Sequence, residues 1–249
     1  MPRYKLTIEY DGTGLVGWQR QDSGPSVQAT LEAAAERLDG NPCVFFAAGR
    51  TDAGVHATGQ VTHVDLVKDL SAEAVRDGLN FWLTREGSRR QVAVVESELV
   101  DDQFHARFSA IERRYLYRIS NRRSPPVLER GRVWWVKRPL DAAAMHEAAQ
   151  CLVGHHDFTT FRASECQAAS PMKTLDVLSI SRVADEVHLI AESRSFLHHQ
   201  VRNMVGTLKL VGEGKWRVGD VRKALEARDR RKGGQTAPPD GLYLTGVSY

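Results

Sequence analysis

The order of apolar periodicities along the first hundred residues constrains the fold more than any other feature of the sequence. Alternating apolar residues over Arg3–Tyr10 predict a strand, and residues 27–38 repeat apolar side chains at helical spacing. Ser26 stands just before that helix, where its hydroxyl can accept a hydrogen bond from a first-turn amide. The pattern then predicts strands near 43–48 and 60–67, a second helix capped by Ser71, and a strand near 91–97.

The second half of the chain alternates strands and helices in a similar order. Its periodicities predict strands near 113–120 and 132–136, a helix over 141–152, strands near 174–182 and 187–193, helices near 197–211 and 220–228, and a closing strand at 242–248. The elements predicted for the first hundred residues follow the order β-α-β-β-α-β, which is that of a ferredoxin-like unit. We therefore predict an α+β fold of two ferredoxin-like subdomains, residues 1–104 and 105–249, with mainly antiparallel sheets flanking a central active-site cleft.

Composition indicates a soluble globular protein. Of the 249 residues, 42% are hydrophobic and 26% are charged, which is typical of a chain with a sizeable core. The start lacks the apolar core of a signal peptide, and charged residues interrupt every apolar run before it reaches the length of a membrane span. We expect a cytoplasmic protein with no membrane partner. The three cysteines form no C-x-x-C pair and are expected to be small buried side chains.

Positive charge is concentrated in residues 107–138, which we call the basic segment. It contains ten Lys or Arg and two acidic residues, whereas the rest of the chain carries a net charge of −5. Two tyrosines and two tryptophans are interleaved with these charges, and this combination favours nucleic acid over a membrane surface as the acidic partner. A solvated strand face explains the charges equally well when the segment is taken alone.

A glycine-rich stretch at residues 49–63 reads G-R-T-D-A-G-V-H-A-T-G-Q-V-T-H. Gly49, Gly54 and Gly59 bracket one acid, Asp52, and Arg50 lies two residues before it. Glycine relaxes the steric limits on the backbone, so the chain can reverse sharply and hold one carboxylate at the apex of a loop. The alternative is an ordinary turn in which the carboxylate only caps its own backbone.

This stretch resembles the catalytic motif of the TruA family of tRNA pseudouridine synthases. The resemblance extends along the whole chain, through I-E-Y-D-G-T (8–13), G-W-Q-R-Q (17–21), F-H-A-R-F-S-A (104–110), R-R-Y-L-Y (113–117), D-F-T-T-F-R (157–162), F-L-H-H-Q-V-R-N-M-V-G (196–206) and G-L-Y-L (241–244).

The resemblance implies a role for four residues. Asp52 would be the nucleophile that attacks C6 of uracil or C1′ of ribose, and Arg202 would be the basic residue that pairs with it. Arg50 would help to hold the target nucleotide out of its helix, which costs a few kcal/mol of stacking. Tyr115 would pack on the uracil ring and is a candidate to move the C5 proton. For Tyr115 and Tyr117 alike, the alternative is an aromatic residue in the core of the sheet.

The resemblance also implies the substrate and the assembly. The substrates would be uridines at positions 38, 39 and 40 in the anticodon arm of tRNA, bound by a homodimer. We expect phosphate contacts from Arg107, Arg113 and Arg114 in the basic segment. The rearrangement needs no redox step, nucleotide or metal, so no cofactor is expected.

Three other interpretations fit parts of the sequence. Residues 12–17 fit the G-x-G-x-x-G motif of NAD-dependent enzymes. A dinucleotide site needs a helix that opens on this motif, but the next helix is expected only after Ser26. The pairs at 155–156 and 198–199 are the candidate histidine metal ligands, yet neighbouring side chains point apart and no third ligand is suitably spaced. A non-catalytic RNA-binding protein of two RRM-like units is disfavoured because the strands lack the aromatic signature of RRM domains.

Overall fold

The computed structural model describes residues 1–85 and 90–249 and contains two compact units. The first unit is Met1–Ile111 with Tyr243–Tyr249, and the second is Glu112–Leu242. Each combines helices with mainly antiparallel strands, so the α+β class predicted from the sequence is confirmed. The subdomain boundary expected near residue 104 stays a prediction.

The elements follow one another along the chain in this order. Up to Ile111 they are β1 (Arg3–Tyr10), α1 (Val27–Asp39), β2 (Phe46–Ala47), β3 (His56–Asp65), α2 (Ala72–Arg85) and β4 (Val92–Val100). The second unit contains β5 (Glu112–Ser120), β6 (Trp134–Trp135), α3 (Ala142–Ala149), β7 (Gly154–Asp157), β8 (Met172–Leu175), β9 (Val177–Val183), β10 (Glu186–Ser193), α4 (Gln200–Gly212) and α5 (Val218–Ala227). The last strand is β11 (Leu242–Ser248). In the described part of the chain, no helix is both long and apolar enough to span a bilayer.

The sheet of the first unit is built around β1. This strand lies between β4 and β3 and is antiparallel to both. On the far edge of β3, the short β2 pairs antiparallel at Thr62 and His63, and β11 pairs parallel at His56 and Ala57. The two helices pack on each other, and α2 packs on β4. Alternate residues of β1 are buried, as expected for a strand with one face towards the core.

Helix α1 begins and ends as its sequence directs. The Ser26 hydroxyl accepts a hydrogen bond from the Ala29 amide at 3.2 Å, which confirms the predicted N-cap. The helix ends at Gly40, whose φ of 85° is the left-handed conformation that glycine adopts without strain. Its buried face includes Leu31 and Ala34 and points into the core of the first unit.

The sheet of the second unit has β10 at its centre. Strand β10 is antiparallel to β5 on one side and to β9 on the other, and β6 is parallel to β5. Helix α3 packs on β9 and on α4 and α5. Strands β7 and β8 form a separate antiparallel hairpin.

The structure differs from the predicted elements at several boundaries. The strands expected at 43–48 and 132–136 shrink to the two-residue β2 and β6, and the one expected at 174–182 divides into β8 and β9 at Asp176. Strand β7 was not predicted, because its sequence G-H-H-D has no apolar alternation. Helix α4 begins at Gln200 instead of residue 197, since His199 has a φ of 61° and cannot belong to a right-handed helix.

Candidate active site

The loop that carries Asp52 connects β2 to β3 and is anchored by buried side chains of two strands. The Tyr10 hydroxyl of β1 lies 2.7 Å from Thr51 Oγ1, and the Gln60 amide of β3 donates to the Gly49 carbonyl at 2.7 Å. Tyr10 is 3% exposed and Gln60 is fully buried. The residues on either side of Arg50 are therefore fixed to the core, while Arg50 itself is exposed and Asp52 is half-buried.

Asp52 occupies the first position of a tight turn. The Val55 amide donates to the Asp52 carbonyl at 3.1 Å, which closes the turn. Gly54, the third residue, has a φ of 78°, as type II turns require at this position. Its amide donates to the Leu15 carbonyl at 3.3 Å, so the turn is also held from a neighbouring loop. The sharp reversal predicted from the glycine spacing is present.

The glycines at 12 and 17 allow that neighbouring loop to touch the Asp52 loop backbone to backbone. A Cβ at Gly17 would lie 2.5 Å from the Thr51 carbonyl oxygen, and one at Gly12 would lie 2.2 Å from the Val55 carbonyl oxygen. The Trp18 amide donates to the Thr51 carbonyl at 3.1 Å. Helix α1 begins at Val27, after its Ser26 cap, so no helix opens on the G-x-G-x-x-G stretch. These glycines serve the close packing of two loops.

Tyr10 supports the loop as a neutral group. Burial raises the pKa of its phenol to about 12, although the hydrogen bonds with Thr51 and Gln60 act in the opposite direction. At neutral pH the phenol therefore keeps its proton and can share it with the Thr51 hydroxyl. This contact joins the core of the sheet directly to the residue before Asp52.

The second unit carries the two predicted tyrosines on one face of β5. Tyr115 is 9% exposed, and its ring meets Phe196 edge-on at a centroid distance of 5.1 Å. Tyr117 is fully buried and donates to the Pro238 carbonyl at 2.7 Å. Burial raises the pKa of Tyr117 well above its ordinary value. Tyr117 therefore has a structural role in the core of this unit.

Arg202 lies in the first turn of α4, also in the second unit. Its Nε donates to the Ala237 carbonyl at 2.8 Å, and the Ala237 amide donates back to the Arg202 carbonyl at 3.1 Å. Arg202 as a whole residue is half-buried. Asp52 and Arg50 thus belong to the first unit, whereas Tyr115 and Arg202 belong to the second.

The three arginines predicted to bind RNA have different environments. Arg107, in the first unit, is exposed, and its guanidinium lies 5.7 Å from the centroid of the Phe108 ring. Arg113 is 8% exposed and donates to the Arg194 carbonyl at 2.6 Å. Arg114 is exposed and donates to Glu192 on the facing strand at 2.5 Å. Arg107 and Arg114 are accessible to a partner, and Arg113 is held within its unit.

Acidic side chains offset part of the charge of the basic segment. Arg118 pairs with both Glu186 and Glu129, and Arg122 pairs with Asp185. Four exposed members of the segment have no carboxylate at ion-pair distance among the described residues: Arg123, Arg130, Lys137 and Arg138. Their charge is therefore the most available for an anionic partner.

Comparison with known proteins identifies the family. A family model described as tRNA pseudouridine synthase matches residues 148–249. Over all 249 residues the chain is 66% identical to tRNA pseudouridine synthase A of Paramagnetospirillum magneticum, covering 96% of that protein. It is 61% identical to the protein of the same name from a Caulobacter species and 59% identical to that of Maricaulis maris, covering 98% of each. The chain belongs to the tRNA pseudouridine synthase A family.

The family membership covers both units. The matched region 148–249 includes Arg202 and Ala237, and the full-length relatives extend the similarity to the Asp52 loop and to Tyr115. The resemblance inferred from the sequence motifs is thereby confirmed.

Sequence reasoning missed the groups that hold the site residues in place. Tyr10 and Gln60 both lie within quoted motifs, I-E-Y-D-G-T and G-Q-V, but the alternation of a strand does not reveal that their polar ends support the Asp52 loop. The Ala237 carbonyl that binds Arg202 has no sequence signature, because every residue has a carbonyl.

Proposed function

We propose that this chain isomerises uridine to pseudouridine in tRNA, with Asp52 as the nucleophile. The observation that carries the proposal is the similarity of the whole chain, at up to 66% identity, to proteins named tRNA pseudouridine synthase A. The anchored turn that carries Asp52 supports it further, because a nucleophile needs a fixed position relative to its substrate.

The reaction breaks the bond between uracil N1 and ribose C1′ and forms a bond between C5 and C1′. The base turns between the two steps, and the C5 proton is finally lost while N1 gains one, so the product is an isomer. Asp52 adds to C6 or to C1′ and is released when the new bond is complete. Arg202 is the proposed cation that favours the ionised form of this carboxylate.

Two further residues are proposed to handle the target nucleotide. Extrusion of a base from its stack costs a few kcal/mol, so the protein must replace the lost contacts. Arg50, exposed at the Asp52 loop, would hold the nucleotide out of its helix. Tyr115 would pack on the uracil ring, and its hydroxyl is the candidate group for moving the C5 proton.

The proposed substrate sites are positions 38, 39 and 40 in the anticodon arm. Action at adjacent positions requires recognition of RNA shape, which phosphate contacts provide without reading sequence. Arg107 and Arg114, both exposed, are proposed phosphate contacts. Arg113 is buried and would contribute by holding the Arg194 carbonyl, just after β10.

The finer points of architecture are also proposals. The first unit has the order β1, α1, β2, β3, α2, β4 and the strand order β4-β1-β3-β2, and this supports a ferredoxin-like subdomain ending near residue 104. The proposed working form is a cytoplasmic homodimer. Sedimentation velocity at micromolar concentration tests the dimer, and a single monomeric species would contradict it.

The activity is tested by mapping pseudouridine in defined tRNA transcripts. After incubation with the protein, a carbodiimide adduct that survives alkali marks pseudouridine and stops reverse transcriptase. We expect stops at positions 38, 39 and 40 with the wild type and none with Asp52→Asn. Binding of tRNA without any stop would instead support the non-catalytic RNA-binding alternative.

A further inference from the structure

A segment near the end of the second unit packs against α4 with its backbone. We call residues 233–238 the strap. A Cβ at Gly206 of α4 would lie 1.7 Å from the Gln235 carbonyl oxygen, and one at Gly234 would lie 2.5 Å from the Gly206 carbonyl oxygen. The Gly234 amide donates to Thr207 Oγ1 at 2.8 Å. Helix and strap can approach this closely only because both residues are glycine.

Asn203 ties the strap to the helix with its side chain. It is 1% exposed, and its Oδ1 accepts from the Thr236 hydroxyl at 2.7 Å and from Arg230 at 3.0 Å. Its Nδ2 donates to the Phe161 carbonyl at 2.9 Å, which fixes the orientation of the amide. The Thr236 hydroxyl also accepts from Arg230 at 3.1 Å. Thr236 is therefore held in a closed network of part-buried hydrogen bonds, anchored by the buried Asn203.

The strap in turn binds the guanidinium of Arg202. Arg202 Nε donates to the Ala237 carbonyl at 2.8 Å, one residue beyond Thr236, and the Ala237 amide donates to the Arg202 carbonyl at 3.1 Å. A guanidinium is planar and rigid, so one hydrogen bond at Nε to a fixed carbonyl limits the rotation of the whole group. The position of the strap therefore sets the direction in which the two terminal NH2 groups of the Arg202 guanidinium point.

We propose that Thr236, Asn203 and Gly206 are positioning residues that orient Arg202 through the strap. The inference rests on the proposed role of Arg202 beside the nucleophile. A displacement of about 1 Å in a group that acts on the reacting atoms can cost 10²-fold in rate. Loosening the strap should therefore slow the chemical step by roughly 10- to 100-fold, with little change in tRNA affinity.

The variant Thr236→Val tests the network, because valine keeps the shape of threonine and removes the hydroxyl. The measurements are the single-turnover rate and the Kd for tRNA. We expect the rate to fall by about tenfold or more, while Kd changes by less than about twofold. Thr236→Ser restores the hydroxyl and should restore the rate. Thr174→Val, an exposed threonine of the β7–β8 hairpin in the same unit, is the matched control and should match the wild type.

A double-mutant cycle with Arg202→Ala separates this inference from the function on which it rests. If the strap acts through Arg202, Thr236→Val should cause no further loss in the Arg202→Ala background. Additive losses would overturn the positioning role but not the proposed role of Arg202. A wild-type rate for Thr236→Val together with a slow Arg202→Ala would have the same meaning. A wild-type rate for Arg202→Ala would overturn the proposed role of Arg202 itself.

A measurement on the folded wild type covers the case in which Thr236→Val does not fold. The Nε–H proton of Arg202 should give an NMR resonance protected from solvent exchange, because Ala237 accepts it. Rapid exchange of that proton in the wild type would contradict the positioning role without any variant.

Discussion

The first unit contains a histidine that should make its folding sensitive to acid. His63 on β3 is 2% exposed, and its Nδ1 accepts a hydrogen bond from the Ala106 amide at 3.2 Å. Its ring stacks on Phe46 at a centroid distance of 5.0 Å and meets His105 at 4.7 Å. A proton on Nδ1 would remove the acceptor and place a charge on a buried ring.

The pKa of His63 is lowered from 6.5 to about 4. Burial is the largest cause, followed by the charges of Arg3 and His105, while Asp65 and a hydrogen bond with the Phe46 backbone act in the other direction. The unfolded chain therefore binds more protons than the folded chain at any pH between these two values. The contribution of neutral His63 to the stability of the folded state is complete above about pH 6.5 and is lost as the pH falls towards 4.

Linkage converts this shift into a free energy of unfolding. A histidine with a pKa of 6.5 unfolded and about 4 folded lowers stability, relative to pH 7, by about 1 kcal/mol at pH 5.5 and by about 2 kcal/mol at pH 4.5. Losses of this size are a substantial fraction of the stability of an ordinary domain.

The test compares wild type with His63→Asn by urea unfolding between pH 7 and 4.5. Asparagine can still accept from the Ala106 amide but cannot be protonated, so the variant should be less stable at pH 7, where it lacks the ring contacts. The stability difference should then shrink by about 2 kcal/mol at pH 4.5. His155→Asn, which removes an exposed histidine, is the control and should follow the wild type. Parallel pH profiles for wild type and His63→Asn would refute the reasoning.

Three further predictions concern the proposed site. Tyr115→Phe keeps the ring and removes the hydroxyl, so turnover should fall by roughly 10² to 10⁴ at unchanged tRNA affinity if the hydroxyl moves the C5 proton; near-normal turnover would leave Tyr115 a packing residue. Arg123→Gln should flatten the slope of log affinity against log salt by about 0.7 to 0.9, equally for different tRNAs, because a phosphate contact is lost. An unchanged slope would exclude Arg123 from the RNA contact. Tyr10→Phe removes the hydrogen bond to Thr51, and thermal unfolding should show a loss of about 1 kcal/mol, with slower turnover as the Asp52 loop loosens. Full activity in that variant would show that the loop does not depend on Tyr10.

The sequence predicted those parts of the fold whose signal is local. Ser26 caps α1 because its hydroxyl meets an amide three residues along the chain, and β1 buries alternate residues, as its pattern requires. The start of α4 was misplaced because nothing in the sequence marks His199 as left-handed. Strand β7 escapes prediction because its sequence G-H-H-D has no apolar alternation, and its pairing with β8 depends on residues outside the local window.

In the candidate site too, features with a local sequence signal were predictable and contacts between distant segments were not. The turn at Asp52 follows from the glycine two residues later, so the motif was sufficient to predict it. The support from Tyr10 and Gln60 arises only when three separate segments meet in the folded unit. The contact of Arg202 with Ala237 uses a backbone carbonyl, which no side-chain pattern can reveal.

Asp52 is proposed to perform a rearrangement that replaces the hydrogen at uracil C5. Tritium release from tRNA labelled at uracil C5 measures this step directly, since formation of the C5–C1′ bond must displace that atom. We predict release to water with the wild type and none above background with Asp52→Asn, while both bind tRNA with similar affinity. Release by Asp52→Asn at a rate within about tenfold of the wild type would contradict nucleophilic catalysis by Asp52. An absence of release with folded, tRNA-binding wild type would contradict the activity itself.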